Sequence, residues 1–319
     1  MLSYVLRRLV RQFAPVIIVA SVLIFVLAEL LPGDPAAIAL GETATPESVA
    51  AMRHEMGLDR PLPERYVRWL GSAMEGDLGR STTGKSVTDL ITASAPPTLE
   101  LAVVAFTLGN LLGITLGVLA GIHRGGPIDV AIGVFTSLVI AVPSFVSGLV
   151  ILLVFTVWVS WLPSAGRASL LSSPLEGAKY LVLPTVALSS TVAAVVSRFT
   201  RQSIVDVLTN DFIRTARAKG LSGRAVIIRH ALKPSMLPVV TIIGVQLGGL
   251  IGGSIVIEQV FTRPGMGRLL IGAVNSKDYP TIQAITLLLV STYIVFNLLT
   301  DLLYAWLDPR LRPALGSPG

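Results

Sequence analysis

The stretch LAVVAFTLGNLLGITLGVLAGI, residues 101–122, contains no Asp, Glu, Lys or Arg and decides the class of fold. A helix needs roughly 20 mostly apolar residues to cross a hydrocarbon core about 30 Å thick. Because lipid offers no hydrogen bonds to exposed backbone groups, a segment of this composition is expected to satisfy its own amides as a helix. The stretch therefore predicts a transmembrane helix.

Other parts of the 319-residue chain repeat this pattern. Similar stretches cover approximately residues 12–31, 130–159, 180–199, 236–258 and 280–303. Pro143 lies inside one of them and is expected to bend the helix by removing a backbone donor. Charged residues make up only 14% of the sequence, whereas a soluble domain carries about 25%. The sequence therefore predicts an all-α polytopic membrane protein with six transmembrane helices.

The placement of Lys and Arg predicts the orientation of these spans, since basic residues accumulate in cytoplasmic loops. With the N-terminus inside, fourteen Lys or Arg lie in or beside cytoplasmic segments and five lie in the two short outer segments. The cytoplasmic segments are residues 1–11, 123–129, 200–235 and 304–319. Both termini are therefore predicted to be cytoplasmic.

The predicted spans divide the chain into segments. Residues 1–31 hold the N-terminus and a first span, whose apolar run of about 19 residues exceeds the 7–15 of a secretory signal. Residues 32–97 form a large extracytoplasmic loop, with helical pieces near 46–56 and 63–74 and aromatic side chains suited to a membrane interface. Residues 98–309 form a core of five helices that contains the cytoplasmic loop 200–235, and residues 310–319 are expected to be a disordered tail.

Metal and thiol chemistry have no support in the sequence. There is no cysteine, and the three histidines are far apart, at His54, His123 and His230. No metal site, catalytic residue or nucleic-acid interaction is predicted.

The segment Gly79–Ser86, GRSTTGKS, matches the P-loop pattern GxxxxGK[ST]. A P-loop requires a buried strand before it and a helix after it, so that backbone amides cradle a phosphate. The residues before Gly79 do not form an apolar strand, and the predicted topology places the segment outside the cell. We therefore interpret the match as coincidental.

The cytoplasmic loop 200–235 has the pattern of two short helices joined by a glycine. Asn210 or Asp211 is suited to begin the first helix, and Gly220 to end it in a left-handed conformation. The second helix is predicted to begin at Ser222 and to end at about Lys233, before Pro234.

This loop also concentrates positive charge. Residues 198–236 contain eight Lys or Arg and two Asp, a net charge of +6 that equals the net charge of the whole chain. Arg214 and Arg217 share one helix face, and the small residues Thr215, Ala216 and Ala218 permit close approach of a partner. Charge alone supports attraction to anionic lipid headgroups equally well.

Several motifs in the same order resemble the first permease subunit of the ATP-binding-cassette (ABC) importers for dipeptides, oligopeptides and nickel. The cytoplasmic motif is Arg214-Thr-Ala-Arg-Ala-Lys-Gly-Leu221, followed by His230-Ala-Leu232 and Leu237-Pro238. The other motifs are Leu31-Pro-Gly-Asp-Pro35, Gly57-Leu-Asp-Arg-Pro-Leu62, Gly76-Asp-Leu-Gly79, Pro97-Thr-Leu-Glu-Leu101, Gly252-Gly-Ser-Ile-Val-Ile-Glu258, Phe261-Thr-Arg-Pro-Gly-Met-Gly267 and Asp278-Tyr-Pro280. Lys233-Pro234 departs from the Arg-Asn usual in this branch.

The resemblance implies the type I importer permease fold in the cytoplasmic (inner) membrane, and a subunit without catalysis of its own. Its implied partners are a second homologous permease, two ABC subunits that use ATP and Mg²⁺, and an extracytoplasmic substrate-binding protein. The cytoplasmic loop would form the coupling helix that docks into the ATPase. The residues carried over to that role are Asp211, Phe212, Arg214, Thr215, Ala216, Arg217, Ala218, Lys219, Gly220 and Leu221.

The resemblance also implies transport by alternating access, with peptides as the cargo. Nickel chelates, glutathione and other small solutes remain alternatives, as does an ion-coupled secondary transporter. The fifth predicted span is rich in glycine, which permits close packing of helices and is also compatible with a gated path. The residues proposed for that path are Gln246, Gly248, Gly249, Gly252 and Glu258.

Overall fold

The computed structural model describes residues 11, 13–30, 33–41, 44–170 and 172–307, and most of them are helical. The helices are α1 (Ala14–Leu30), α2 (Pro35–Leu40), α3 (Pro46–Glu55), α4 (Leu62–Met74), α5 (Val87–Ile122), α6 (Pro127–Ala141), α7 (Ser144–Leu152), α8 (Pro174–Leu208), α9 (Asp211–Ala218), α10 (Gly223–Ala225), α11 (Leu232–Val260), α12 (Met266–Asn275) and α13 (Tyr279–Leu307). Two π-helical segments, Leu153–Trp158 and Val226–Ala231, follow α7 and α10. Extended pairing among the described residues is limited to one bridge between Arg80 and Ser86.

Each predicted span coincides with helix in the structure. Among the described residues, four helices are long and apolar enough to cross a bilayer: α5, α8, the continuous stretch Gly223–Val260, and α13. The apolar helix α1 is shorter, at 17 residues. The pair α6 and α7 qualifies together but bends by 100° at its break, which confirms the bend predicted at Pro143.

Helix α5 begins at Val87, well before the predicted start of its span near residue 100. The added turns carry Val87 and Ile91, which are buried with Met266, Ala284 and Ile285. Tertiary packing of an apolar face stabilises helix beyond local propensity, and here it extends the helix through Pro96 and Pro97.

The two helices predicted in the loop 32–97 are confirmed as α3 and α4. Helix α3 begins with a reciprocal cap in which Thr45 and Ser48 each accept the other's backbone N–H, and Pro46 occupies the first turn. Helix α4 packs on α1 through an aromatic group: Tyr66 and Trp69 lie 5.6 and 5.8 Å from the Phe25 ring centroid. These aromatic side chains therefore join two helices of the chain.

The chain divides into two compact units. Unit 1 comprises Met1–Thr98 and Pro264–Ile294, and unit 2 comprises Leu99–Arg263 and Val295–Gly319. The apolar core of unit 1 is the cluster around Val87 and Ile285. The larger core of unit 2 joins α5, α8 and α11 through buried residues that include Leu101, Val196 and Ile257. The predicted tail 310–319 lies outside the described residues.

Unit 2 contains a close contact between α5 and α8 that is built on glycine. Four glycines recur every four residues on one face of α5, and a Cβ added to any of them would come within 2.5–2.8 Å of an α8 side chain. They are Gly109, Gly113, Gly117 and Gly121, and they face Val192, Val196, Thr200 and Ile204, respectively. Because real Cβ atoms do not approach this closely, glycine is required for the two helices to pack at this distance.

Candidate docking site and transport path

The first helix predicted in the loop 200–235 is confirmed as α9. It follows the end of α8 after Thr209, and Asn210 has the extended backbone of a residue that begins a helix. Gly220 ends the turn with φ +79° and donates its N–H to the Arg217 carbonyl at 2.9 Å. This is the left-handed conformation that the sequence predicted for this position.

The second helix begins as predicted, but its predicted end is wrong. The Ser222 side chain accepts the Ala225 N–H at 3.3 Å. The helix does not end at Lys233: it continues through the π-helical segment Val226–Ala231 into α11, giving a continuous stretch from Gly223 to Val260. The wider π turn ends at Ala231, three residues before Pro234, and it contains His230, whose carbonyl would clash with the proline ring in a regular α-helix.

One face of α9 is fixed to the rest of unit 2 by a small apolar cluster. Ile213 and Ala216 are buried against Val226 and Ala231, with Val207 and Leu208 packed around them. Ala216 is only 6% exposed, so its small side chain permits close packing within the chain. The cluster holds α9 against both the helix that precedes it and the helix that follows it.

The opposite face of α9 and its turn are open to solvent. Arg214 keeps 79% of its side chain exposed and lies 3.5 Å from the Asp211 carboxylate. Two apolar side chains are exposed among the charges: Phe212 at 47% and Leu221 at 39%. The other predicted docking residues that are exposed are Asp211, Thr215, Arg217, Ala218, Lys219 and Gly220. The face thus combines positive charge with apolar contact area.

An ion pair near this loop was not foreseen from the sequence. Asp129, at the start of α6, accepts a hydrogen bond from Arg201 Nη2 at 2.7 Å and a second one from the Gly125 N–H at 2.9 Å. Asp129 is 6% exposed. Ser203 donates to the Ser235 carbonyl at 2.7 Å, which ties α8 to α11. The sequence signal for the Asp129–Arg201 ion pair is a lone carboxylate at the edge of one apolar stretch and an arginine at the edge of another.

The residues proposed for a transport path have different surroundings on α11. Gly249 and Gly252 are exposed, and a Cβ added to either would meet no atom within 4 Å. Gln246 and Gly248 are half-buried. Gly249 and Gly252 thus lie on an open face of the helix in this chain.

Glu258 has no exposed surface. Its carbonyl accepts the Arg263 N–H at 2.8 Å, and the Arg263 guanidinium donates to Glu100 at 2.6 Å. Burial lowers the pKa of Arg263, and the Glu100 carboxylate opposes that shift. Glu258 thus lies beside the buried ion pair of Arg263 and Glu100 at the end of α11, and its charge also acts on Arg263.

Within the described part of the chain, no group of three His, Asp or Glu residues is arranged to hold a metal ion. The P-loop-like segment Gly79–Ser86 forms a tight turn, in which Gly84 donates to the Ser81 carbonyl at 2.8 Å. A carboxylate of the chain itself, Asp278, accepts hydrogen bonds from Ser81 Oγ at 2.5 Å and the Thr82 N–H at 3.3 Å. The donors of this turn thus bind an internal carboxylate.

Comparison with known proteins gives matches over nearly the entire chain. Residues 113–313 match the family described as "Binding-protein-dependent transport system inner membrane component". Residues 1–102 match the family described as "Binding-prot-dependent transport system membrane comp, N-term".

Individual relatives match over almost their whole length. The "Probable peptide ABC transporter permease protein y4tP" of Sinorhizobium fredii is 41% identical over 97% of this chain and 99% of its own. The "Glutathione transport system permease protein GsiC" of Pectobacterium atrosepticum is 40% identical over 98% of this chain and 99% of its own. The Escherichia coli K12 protein of the same description is 39% identical over the same shares.

Solved structures match in fold. The MetNI methionine ABC transporter in an inward-facing conformation aligns with a TM-score of 0.56 at 17% identity, over 69% of this chain and 96% of that chain. An amino acid ABC transporter crystallised with histidines aligns with a TM-score of 0.50 at 18% identity, over 70% of this chain and 95% of that chain.

Proposed function

The chain belongs to the family of binding-protein-dependent transport system inner membrane components, and from that premise we propose that it forms half of an ATP-driven import path for peptides. As an inner-membrane, multi-pass permease subunit of an ABC importer, it serves transport. The observation that carries the proposal is the exposed, positively charged α9, held on its inner face by a buried apolar cluster.

We assign to α9 the docking of an ATPase subunit. Phe212 and Leu221 supply exposed apolar area, and Arg214, Arg217 and Lys219 supply donors for carboxylates of the partner. The resemblance of Arg214–Leu221 to the coupling motif of importer permeases favours a protein partner over a surface of lipid headgroups. Because the second helix continues without a break into α11, a displacement of α9 would be transmitted directly to a membrane span.

The proposed mechanism is alternating access. Two ATPase subunits close on ATP and Mg²⁺, α9 moves with them, and the spans expose the path to the opposite side of the membrane. A second homologous permease supplies the other half of the path, and an extracytoplasmic binding protein delivers the cargo. We assign ATP binding to the partners only, since the P-loop-like turn of this chain holds its own Asp278.

Peptides are the proposed cargo because one relative is described as a peptide permease and others as glutathione permeases, at 39–41% identity. Glutathione, itself a small peptide, is the second candidate. Nickel chelates and other small solutes are less well supported by these relatives.

The test of this function is affinity purification of the tagged full chain in mild detergent, with mass spectrometry and an ATPase assay on the eluate. We expect ABC subunits, a second permease and hydrolysis that is stimulated by a peptide-loaded binding protein. A correctly inserted chain without an ATPase partner would overturn the proposal. Uptake that continues without ATP but requires an ion gradient would instead identify a secondary transporter.

A further inference from the structure

Unit 1 contains a cavity of about 800 Å³ whose lining is charged. Small-molecule sites commonly occupy 300–1,000 Å³ and combine apolar walls with a few polar groups that fix orientation. The cavity is lined by residues of α1, of the α2–α4 region with the segment that follows α4, and of the start of α13. All of the lining residues belong to unit 1. The cavity is thus large enough for a short peptide.

Two of the cations that line the cavity are already neutralised within the chain. Arg65 binds both carboxylate oxygens of Glu29, one of them at 2.8 Å, and Arg53 binds Asp34 at 3.0 Å. These pairs connect α4 to α1 and α3 to the start of α2. They fix the shape of the cavity and leave its net charge unchanged.

A second pair of cations shares a single carboxylate. Arg60 and Arg68 both donate to the same oxygen of Glu64, at 2.7 and 3.2 Å. Both guanidinium groups lie over Gly57, within 3.5 and 3.8 Å of the position that a Cβ on Gly57 would occupy. The nearby carboxylate of Asp59 is hydrogen-bonded to Nδ1 of His54 at 2.8 Å. This hydrogen bond lowers the pKa of Asp59. Arg60 and Arg68 thus share one carboxylate oxygen and keep further guanidinium N–H donors for a ligand.

The cavity also has a carboxylate without a cation. Asp77 accepts the Gly79 N–H at 2.9 Å through one oxygen, and no ion pair of Asp77 occurs within the described part of the chain. The half-buried indole of Trp69 lines the same cavity. The lining thus combines two guanidinium groups with unused donors, a carboxylate without a cation and an aromatic wall. This is the chemistry that the two charged termini of a short peptide require.

We propose that this cavity binds the free termini of short peptides, with the carboxylate on Arg60 and Arg68 and the ammonium group on Asp77. The choice of peptides as ligands rests on the proposed function; the cavity and its charges do not. Charge-assisted hydrogen bonds of this kind are roughly twice as strong as neutral ones. The site would thus recognise the two charged termini of a peptide and accept different side chains between them.

The test is a binding measurement on the full chain, purified in nanodiscs with its co-purifying subunits and without a binding protein. The probes are Ala-Ala, its C-terminal amide and its N-acetyl derivative. Saturation-transfer NMR measures the binding of each probe. We expect Ala-Ala to bind and each blocked derivative to bind about ten-fold more weakly, a difference of about 1.4 kcal/mol.

Charge-neutral variants assign the two ends of the site. R60Q and R68Q should weaken Ala-Ala binding and remove the discrimination against the amide, whereas D77N should remove the discrimination against the N-acetyl derivative. All three residues are exposed, so wild-type melting temperatures are expected. The matched controls are K85Q and E75Q, which change exposed charges of unit 1 outside the cavity lining.

The outcomes separate this inference from the proposed function. Ala-Ala that fails to bind, or that binds equally well to all variants, overturns the cavity assignment even if ATPases co-purify and hydrolyse ATP. Terminus-specific binding to a chain that recruits no ATPase supports the cavity and removes the importer function.

Discussion

At the scale of single residues, Gly220 is a position where backbone conformation determines the choice of amino acid. Its φ of +79° costs a residue with a Cβ about 1–2 kcal/mol, and the cost is greater for a β-branched side chain. We expect G220V to disturb the turn after α9, so that the basal ATPase activity of the complex remains while its stimulation by loaded binding protein is lost.

The control is G223A, three residues further along the same loop. Gly223 has no positive φ, and a Cβ there would meet no atom within 4 Å, so coupling should be unaffected. Normal stimulated hydrolysis and normal uptake in G220V would show that the Gly220 turn has no role in coupling.

The ion pair between Asp129 and Arg201 gives a second residue-level prediction. Removing one partner of a fully buried ion pair lowers the free energy of unfolding by about 3–5 kcal/mol. Because Arg201 keeps 34% of its side chain exposed, we expect a smaller loss of about 1–3 kcal/mol here. D129N should therefore lower the melting temperature of the purified complex.

The Glu176–Lys179 pair of the same unit provides the contrast. Its side chains are 55% and 47% exposed, and exposed pairs contribute about 0–1 kcal/mol. E176Q should leave the melting temperature nearly unchanged. Equal effects of D129N and E176Q would mean that the Asp129–Arg201 pair contributes no more than a surface pair.

At the scale of helices, the glycine face of α5 determines how closely it packs on α8. A Cβ at Gly117 would lie 2.5 Å from Thr200 Cβ and 2.6 Å from the Ser197 carbonyl oxygen. The backbone carbonyl cannot move aside without shifting α8. We expect G117A to lower the melting temperature although alanine favours helix, because overpacking typically costs about 1–3 kcal/mol.

The matched change is G133A, in the interior of α6 in the same unit. A Cβ at Gly133 would meet no atom within 4 Å, so only the propensity gain of roughly 0.5–1 kcal/mol remains. G133A should be neutral or slightly stabilising. A G117A protein as stable as G133A would show that the two helices separate without cost.

The sequence predicted the helices of this chain better than their boundaries and contacts. Apolar stretches and caps are local signals, so the spans, α3, α4 and α9 were all predicted. The continuation of helix past Lys233 depends on a π turn, and the early start of α5 depends on burial of Val87 and Ile91. The early start of α5 is a tertiary effect, and neither change is indicated by the apolar pattern or the cap residues of its own segment.

The same limit applies to the candidate sites. The glycine repeat 109–121 is visible in the sequence, but the partner helix α8 is not. The sequence predicts Ala216 as a contact for a partner, whereas the structure buries it against Val226 and Ala231 of the following helix. The open face of α9 and the turn at Gly220 were predictable because cap residues and charge are encoded locally.

At the scale of the whole molecule, the predicted topology places each proposed site on the side of the membrane where its partner would be. A cytoplasmic α9 can meet an ATPase, and an extracytoplasmic cavity in unit 1 can receive peptide from a binding protein. The predicted orientation rests on the distribution of Lys and Arg over all the short loops, and this distribution sets the orientation of the whole chain. An experiment that labels both sides of the membrane therefore tests both proposals together.

The absence of native cysteine makes this experiment direct, because each introduced thiol is the only one in the chain. Lys85 is exposed on the turn before α5, and Arg224 is exposed in α10, outside the proposed docking face. With an impermeant maleimide, we expect K85C to react in intact cells and R224C to react only after permeabilisation. V196C, at a position with 0% exposure, should remain unlabelled in both conditions. Reversed labelling would place α9 outside the cell, away from ATP, and would remove the physical basis for its docking role.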